Sequence, residues 1–99
     1  MLIDMHKALL LLKKIPKDKV VSYKELSRVC KTSPRAIGRI MKYNPDSKNY
    51  PCYKVVGNDG NLVGYTGNGG LETKRKLLER DGIKFVNVKV DRIYFHKFK

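Results

Sequence analysis

The sequence predicts a mainly α domain of the winged helix-turn-helix kind with a small β wing, spanning residues 1–99 as one unit. Three observations lead there. Two helix starts follow in close succession, at Ser22 and at Ser33. The second helix carries Arg35, Gly38, Arg39 and Lys42 at i, i+3, i+4 and i+7, a basic face opposite an apolar one. A turn-rich stretch, Gly57-Asn58-Asp59-Gly60-Asn61, then separates two short apolar runs, Val55-Val56 and Leu62-Val63. Helix, tight turn, basic helix and hairpin in that order make the winged motif.

Each element has a local reason. Residues 2–14 read as the first helix, with Met5, Leu9 and Leu12 on one face and Pro16 ending it. Val20-Val21 is a short strand. Ser22 and Glu25 form the S-x-x-E pattern of a capping box, and the helix it opens turns Leu26, Val29 and Cys30 inward. In that pattern Cys30 is a small buried apolar residue. Ser33 caps the next helix, and Pro34 suits its first position, where a missing N–H costs nothing. Ile37, Ile40 and Met41 take the inner face. Gly38 costs about 1 kcal/mol relative to Ala inside a helix, which a close approach to a DNA backbone or groove justifies. Asn44-Pro45 stops this helix. Residues 71–80 form a last helix with Gly82 as its C′ residue. Residues 85–98 hold two alternating runs around Asp91-Arg92, a candidate hairpin.

The composition bounds the function. In 99 residues one modest core can be buried. Lys and Arg number 22 against 9 Asp and Glu, a net charge of +13. Such a balance repels itself in a folded chain, and a polyanionic partner is the simplest reason to carry it. Binding should then depend steeply on salt; a generic basic surface is the alternative. No apolar run approaches the ~18 residues of a membrane span. Leu9-Leu10-Leu11-Leu12 is interrupted by Lys13-Lys14 and lacks a small-residue cleavage site, so an intracellular protein is expected. Cys30 and Cys52 are too few for a disulfide scaffold and lack metal-ligand spacing, so no metal site is expected.

Cys52 stands in Pro51-Cys52-Tyr53-Lys54-Val55-Val56, after the basic helix and before a glycine-rich loop, Gly64-Tyr65-Thr66-Gly67-Asn68-Gly69-Gly70. A DNA-binding element, a thiol and a loop able to close over a small group suggest cysteine chemistry on DNA. The hexapeptide resembles the active-site motif of the O6-alkylguanine-DNA alkyltransferases, usually Pro-Cys-His-Arg-Val. Four further stretches resemble that family in order: Ile15-Pro16 with Val20-Val21-Ser22-Tyr23 and Glu25-Leu26; Ser33-Pro34-Arg35-Ala36-Ile37-Gly38 with Met41 and Asn44-Pro45; Asp59-Gly60 with Leu62, Gly64-Tyr65 and Gly67; and Lys74 with Leu77-Leu78 and Asp81-Gly82.

The resemblance implies repair of double-stranded DNA containing alkylated guanine, by a monomer. The damaged base leaves the duplex to be reached. Cys52 accepts the alkyl group once, as a stable thioether, without a cofactor. Arg35 fills the gap in the stack, a job suited to a flat guanidinium. Tyr23 crowds the phosphate and donates to guanine N3. Asn44 joins the recognition helix to the active site. The carbonyls of Cys52 and Val55 accept from the exocyclic amine. Tyr65 lines the pocket, and the backbone of Thr66, with Gly67 beside it, reaches O6. Ala36, Gly38, Arg39 and Lys42 complete the DNA contacts.

Two departures touch the chemistry. The family's histidine is Tyr53 here, and its glutamate is Asp81; in the family these two residues and a water remove the thiol proton. A tyrosine, with a reference pKa near 10, is a poor base at neutral pH. It can still donate a hydrogen bond to a thiolate. An ordinary cysteine is already a few per cent thiolate at neutral pH, so losing the relay slows transfer by roughly 10–100-fold without removing the nucleophile. Lys54 replaces the usual arginine, keeping the charge and losing the fork. Two other readings stay open. Alkyltransferase-like proteins, similarly short, bind alkylated bases without repairing them and usually carry Trp at the position of Cys52. A winged-helix transcriptional regulator would use Cys52 only for packing.

Overall fold

The structure, a computed structural model, describes residues 5–46, 48–62 and 70–98, with side chains from Lys7 onward. The order is α1 (Met5–Leu12), β1 (Val21–Ser22), α2 (Tyr23–Cys30), α3 (Pro34–Lys42), a 3-10 turn (Cys52–Lys54), β2 (Val55–Val56), α4 (Gly70–Arg80), β3 (Phe85–Val86), β4 (Lys89–Val90) and a second 3-10 turn (Arg92–Tyr94). The chain is mostly helical with small sheets, as expected.

The helix signals act locally. Ser22 Oγ accepts from Glu25 N at 2.9 Å and Ser33 Oγ from Ala36 N at 3.1 Å, so both caps form. Glu25 is drawn elsewhere: its carboxylate accepts from Arg28 and from the backbone N–H of Phe98. The first α-helix ends at Leu12 rather than Lys14, because Lys13, Lys14 and Ile15 bond to carbonyls three residues back, tightening the last turn before Pro16. At the end of α4, Gly82 N bonds Glu79 O and Ile83 N bonds Leu78 O, both at 3.0 Å, with Gly82 at φ +93°. That is a Schellman ending with glycine at C′.

The sheet departs from expectation. Val55-Val56 do not pair with Leu62; they run parallel to β1, in register Val21 to Val55 and Ser22 to Val56. The α2–α3 pair is the crossover that a parallel connection requires. Both valines are fully buried, and a strand covered on both faces reads as an unbroken apolar run rather than a hairpin arm. The Gly57–Asn61 segment still makes a tight turn, Gly57 N to Asn61 O at 2.8 Å, but Asn61 bridges to Lys89 of β4. Val63 lies outside the described residues. The C-terminal hairpin turns at Asn87-Val88, with Asn87 at φ 60°, and not at Asp91-Arg92. Asparagine tolerates that left-handed conformation. Asp91 instead caps the second 3-10 turn by accepting from Ile93 N at 3.1 Å. Beyond it, Val20 and Phe95 bridge in parallel, so the tail flanks β1 on the side away from β2.

Two cores lie on either side of this small sheet. Val21 and Val55 join Ala8, Leu9, Leu12, Leu26, Ile37, Ile40 and Met41 in one; Val20 and Val56 join Leu78, Ile83 and Val90 in the other. Strand alternation separates them. Cys52 packs on the first core and Tyr53 on the second, which decides what each can reach.

Candidate active site and nucleic-acid interface

The end of α3 is tied directly to the cysteine turn. Asn44 Nδ2 donates to Tyr50 O at 2.7 Å, and the same carbonyl accepts from Cys52 N at 2.7 Å. Asn44 Oδ1 accepts from Asp46 N at 3.0 Å, fixing the chain as it leaves the helix. Asn44 thus links the end of α3 to the turn that carries Cys52. Cys52 is a free, half-buried thiol. Its carbonyl accepts from Val55 N, closing the 3-10 turn, and the carbonyl of Val55 accepts from Lys74 Nζ. Both carbonyls assigned to the base thus already hold one protein donor, and each has a second lone pair.

Tyr23, at the start of α2, packs on the same core as Cys52. Burial, with a smaller effect of Cys52, pushes its hydroxyl up to about 12, so it stays a proton donor at neutral pH. Lys74 enters from α4, only 1 % exposed, with its ammonium 5.9 Å from the centre of the Tyr23 ring. Burial pulls it down to about 8, and Cys52 opposes that pull. Lys74 carried no role in the sequence reading. The signal was there: Lys74, Leu78 and Asp81 lie at i, i+4 and i+7, which puts a cation on an inward helix face.

Tyr53 does not offer its proton to a thiolate. It donates to Asp81 Oδ2 at 2.5 Å, and burial followed by that bond pushes it up to about 12. Asp81 is buried, with Lys54 Nζ and Arg80 Nε each 3.8 Å from its oxygens. Lys54 is itself buried and donates to the carbonyls of Pro16, Lys17 and Lys19, pinning the loop that leads into β1. A point charge able to donate in three directions suits that cluster better than a flat fork.

On α3, Arg35, Arg39 and Lys42 are exposed, and Ala36 and Gly38 are partly covered. A Cβ at Gly38 would meet Tyr23 Cε1 at 3.9 Å, ordinary contact, so internal packing does not demand glycine there. Exposed Tyr43 follows, with Lys42 Nζ 5.7 Å from its ring centre. Cys30 packs on the first core. The assigned pocket residues Tyr65, Thr66 and Gly67 lie outside the described residues. Among those described, no cluster of His, Cys, Asp or Glu could hold a metal, and no helix is long and apolar enough to cross a membrane.

The chain is similar to known proteins over most of its length. The family profile described as 6-O-methylguanine DNA methyltransferase, DNA binding domain, matches residues 5–83. A methylated-DNA–protein-cysteine methyltransferase of Pyrobaculum aerophilum is 44% identical over 79 residues, which cover 80% of this chain and 52% of that protein. Its counterpart in Thermococcus kodakarensis is 42% identical over 74 residues, covering 75% and 41%. The chain thus spans about half the length of these curated relatives, or less. Among solved structures, the O6-methylguanine-DNA methyltransferase of Pyrococcus kodakaraensis superposes with a TM-score of 0.69 at 38% identity, over 80% of this chain and 46% of that one. S. pombe Atl1, in complex with damaged DNA containing O6-carboxymethylguanine, superposes with a TM-score of 0.81 over 98% and 99% of the two chains, and at 21% identity it shares the fold.

Proposed function

The chain belongs to the 6-O-methylguanine DNA methyltransferase family through its DNA-binding domain, and from that premise we propose that it repairs DNA by moving an alkyl group from O6 of guanine to Cys52. The observation that carries this reading is the placement of Cys52: a free, half-buried thiol on a turn that Asn44 ties to the end of a cationic helix. We read residues 1–99 as one such domain, acting as a monomer on double-stranded DNA, with the Gly57–Asn61 turn and the β3–β4 hairpin as the wing of a winged helix-turn-helix.

The alkylated base is extruded, and Arg35 takes its place in the stack. Arg39, Lys42 and the close approach at Ala36 and Gly38 hold phosphates. The free carbonyl lone pairs of Cys52 and Val55 take the exocyclic amine, and Tyr65, Thr66 and Gly67 close over the base. The thiolate attacks the alkyl carbon in line: an S–C bond forms, the C–O bond breaks, and the electron pair leaves on guanine. Tyr23 polarises N3, and guanine ends with one proton in exchange for the one the thiol lost. The thioether does not turn over, so each molecule acts once.

A second reading has a specific observation behind it. The Tyr53 hydroxyl gives its one proton to Asp81, so the residue at the position of the family's base offers no proton to a Cys52 thiolate. If the unassisted thiol transfers too slowly to matter, the protein binds the lesion and only marks it. Incubation with a duplex containing O6-methylguanine, followed by intact mass and peptide mapping, separates the two. Gain of one methyl on Cys52, abolished by Cys52→Ala, supports transfer. Selective binding with no gain of mass from about pH 6 to 9 makes it a damage binder.

A further inference from the structure

We propose that Tyr43 is a DNA contact of a second kind, an uncharged aromatic side chain that packs on the sugar–phosphate backbone where α3 ends. The inference rests on the reading of α3 as the DNA-facing helix and not on the fate of the alkyl group. Every other tyrosine and phenylalanine among the described residues packs on one of the two cores. Tyr43 packs on neither and is 63% exposed. An aromatic ring carries a large apolar surface, and leaving it in water forgoes the burial that would stabilise the fold. Internal packing therefore gives no reason for an aromatic at this position.

The surroundings say what covers it. Tyr43 N donates to Arg39 O at 3.2 Å, which puts Arg39 one helical turn behind it on the same side. Lys42 Nζ lies 5.7 Å from the centre of the ring, and α3 has no acidic residue. A protein partner would have to press an apolar surface against these cations. A DNA strand instead offers phosphates to the cations and to the tyrosine hydroxyl, and deoxyribose to the ring. The contact also bears on the site. Tyr43 precedes Asn44, which donates to Tyr50 O, and that carbonyl accepts from Cys52 N. A strand held at Tyr43 is thus held at the hinge that carries the thiol. Arg35 stands at the other end of α3, about 12 Å away along the axis at 1.5 Å per residue. An uncharged side chain displaces no counterion, so this contact adds affinity without adding to the salt dependence.

Salt titrations of duplex binding by wild type, Tyr43→Ala and Tyr43→Phe test this. Tyr43→Ala should weaken binding about five- to tenfold at every salt concentration, with the slope of log K against log salt unchanged. Tyr43→Phe keeps the ring and should lose only about two- to threefold. The Tyr43→Ala loss should persist in a Lys42→Ala background; a loss that vanishes there means that the ring only steadies the Lys42 ammonium, and overturns the proposal. Wild-type affinity in Tyr43→Ala overturns it as well. A second measurement needs no variant. N-acetylimidazole should acetylate Tyr43 in the free protein, and duplex DNA should protect it, with peptide mapping to locate the label. Equal labelling of Tyr43 with and without DNA overturns the proposal. A nearly flat wild-type salt slope would instead remove the reading of α3 on which the contact rests, and the contact with it.

Discussion

Gly38 and Tyr53 show how one residue separates stability from function. Gly38 lies inside α3, where glycine is unfavourable by about 1 kcal/mol relative to alanine, and a Cβ there meets only ordinary contact with Tyr23. Gly38→Ala should therefore raise stability in a thermal or urea melt, by up to about 1 kcal/mol, while weakening binding to duplex DNA. Unchanged binding would remove the reason given for the glycine. Tyr53 carries a pH signature. Its hydroxyl titrates at about 12 when folded against an ordinary 10, so between those values the folded state holds the proton that the unfolded chain has lost. Stability from this group is full below pH 10 and lost as the pH rises toward 12. In urea unfolding, Tyr53→Phe should lose about 1–2 kcal/mol near neutrality, because buried Asp81 loses a donor, and should fall less steeply above pH 10. Tyr23, also at about 12, keeps its own share of that slope. Ser22, Ser33 and Gly82 were legible in the sequence because caps obey rules that reach three or four residues. The Tyr53–Asp81 bond joins residues 28 apart, and no spacing rule reaches across that.

At the level of elements, long periodicity and caps define the helices, whereas strands two residues long leave no pattern that names their partner. The helices over 23–30 and 34–42 fall where their caps place them. Val55-Val56 carry no alternation to say which strand they join, and their partner lies beyond two helices. The tail differs from expectation for a related reason: Asp91 is a good turn residue, but Asn87 supplies the positive φ, and a local cap claims Asp91. Gly60 makes the turn–tail contact testable. It stands at φ +91°, Val90 N donates to its carbonyl at 3.0 Å, and a Cβ there would run into the Val90 carbonyl. Gly60→Ala should destabilise by about 2–4 kcal/mol in urea unfolding, far more than a surface turn glycine would. A loss of only a few tenths would mean that the turn and β4 are not in contact.

Over the whole molecule the charge is uneven. The net +13 is a sum, but α3 contains no acidic residue and exposes Arg35, Arg39 and Lys42, whereas α4 pairs Lys76 with Glu72 and Arg75 with Glu79 along exposed turns. Those α4 pairs are solvent-exposed and add little to stability, but each cancels its own field. A duplex should therefore be drawn to the α3 face, and its affinity should fall steeply with salt, since each phosphate neutralised contributes about 0.9 to the slope of log K against log salt. The wild-type slope should be several units. Arg39→Ala and Lys42→Ala should each lower it by about one and weaken binding equally on alkylated and unmodified duplexes. Lys76→Ala, which frees Glu72 on another helix, should leave it nearly unchanged. Arg35→Ala should behave differently again: if its side chain fills the gap left by an extruded base, the loss falls mainly on alkylated DNA and the preference for the lesion collapses. Salt titrations with paired damaged and undamaged duplexes read all four variants. Equal losses for Arg35→Ala on both duplexes would make it a phosphate contact like its neighbours, and a Lys76→Ala slope matching that of Arg39→Ala would mean that DNA answers to the total charge and not to the helix that carries it.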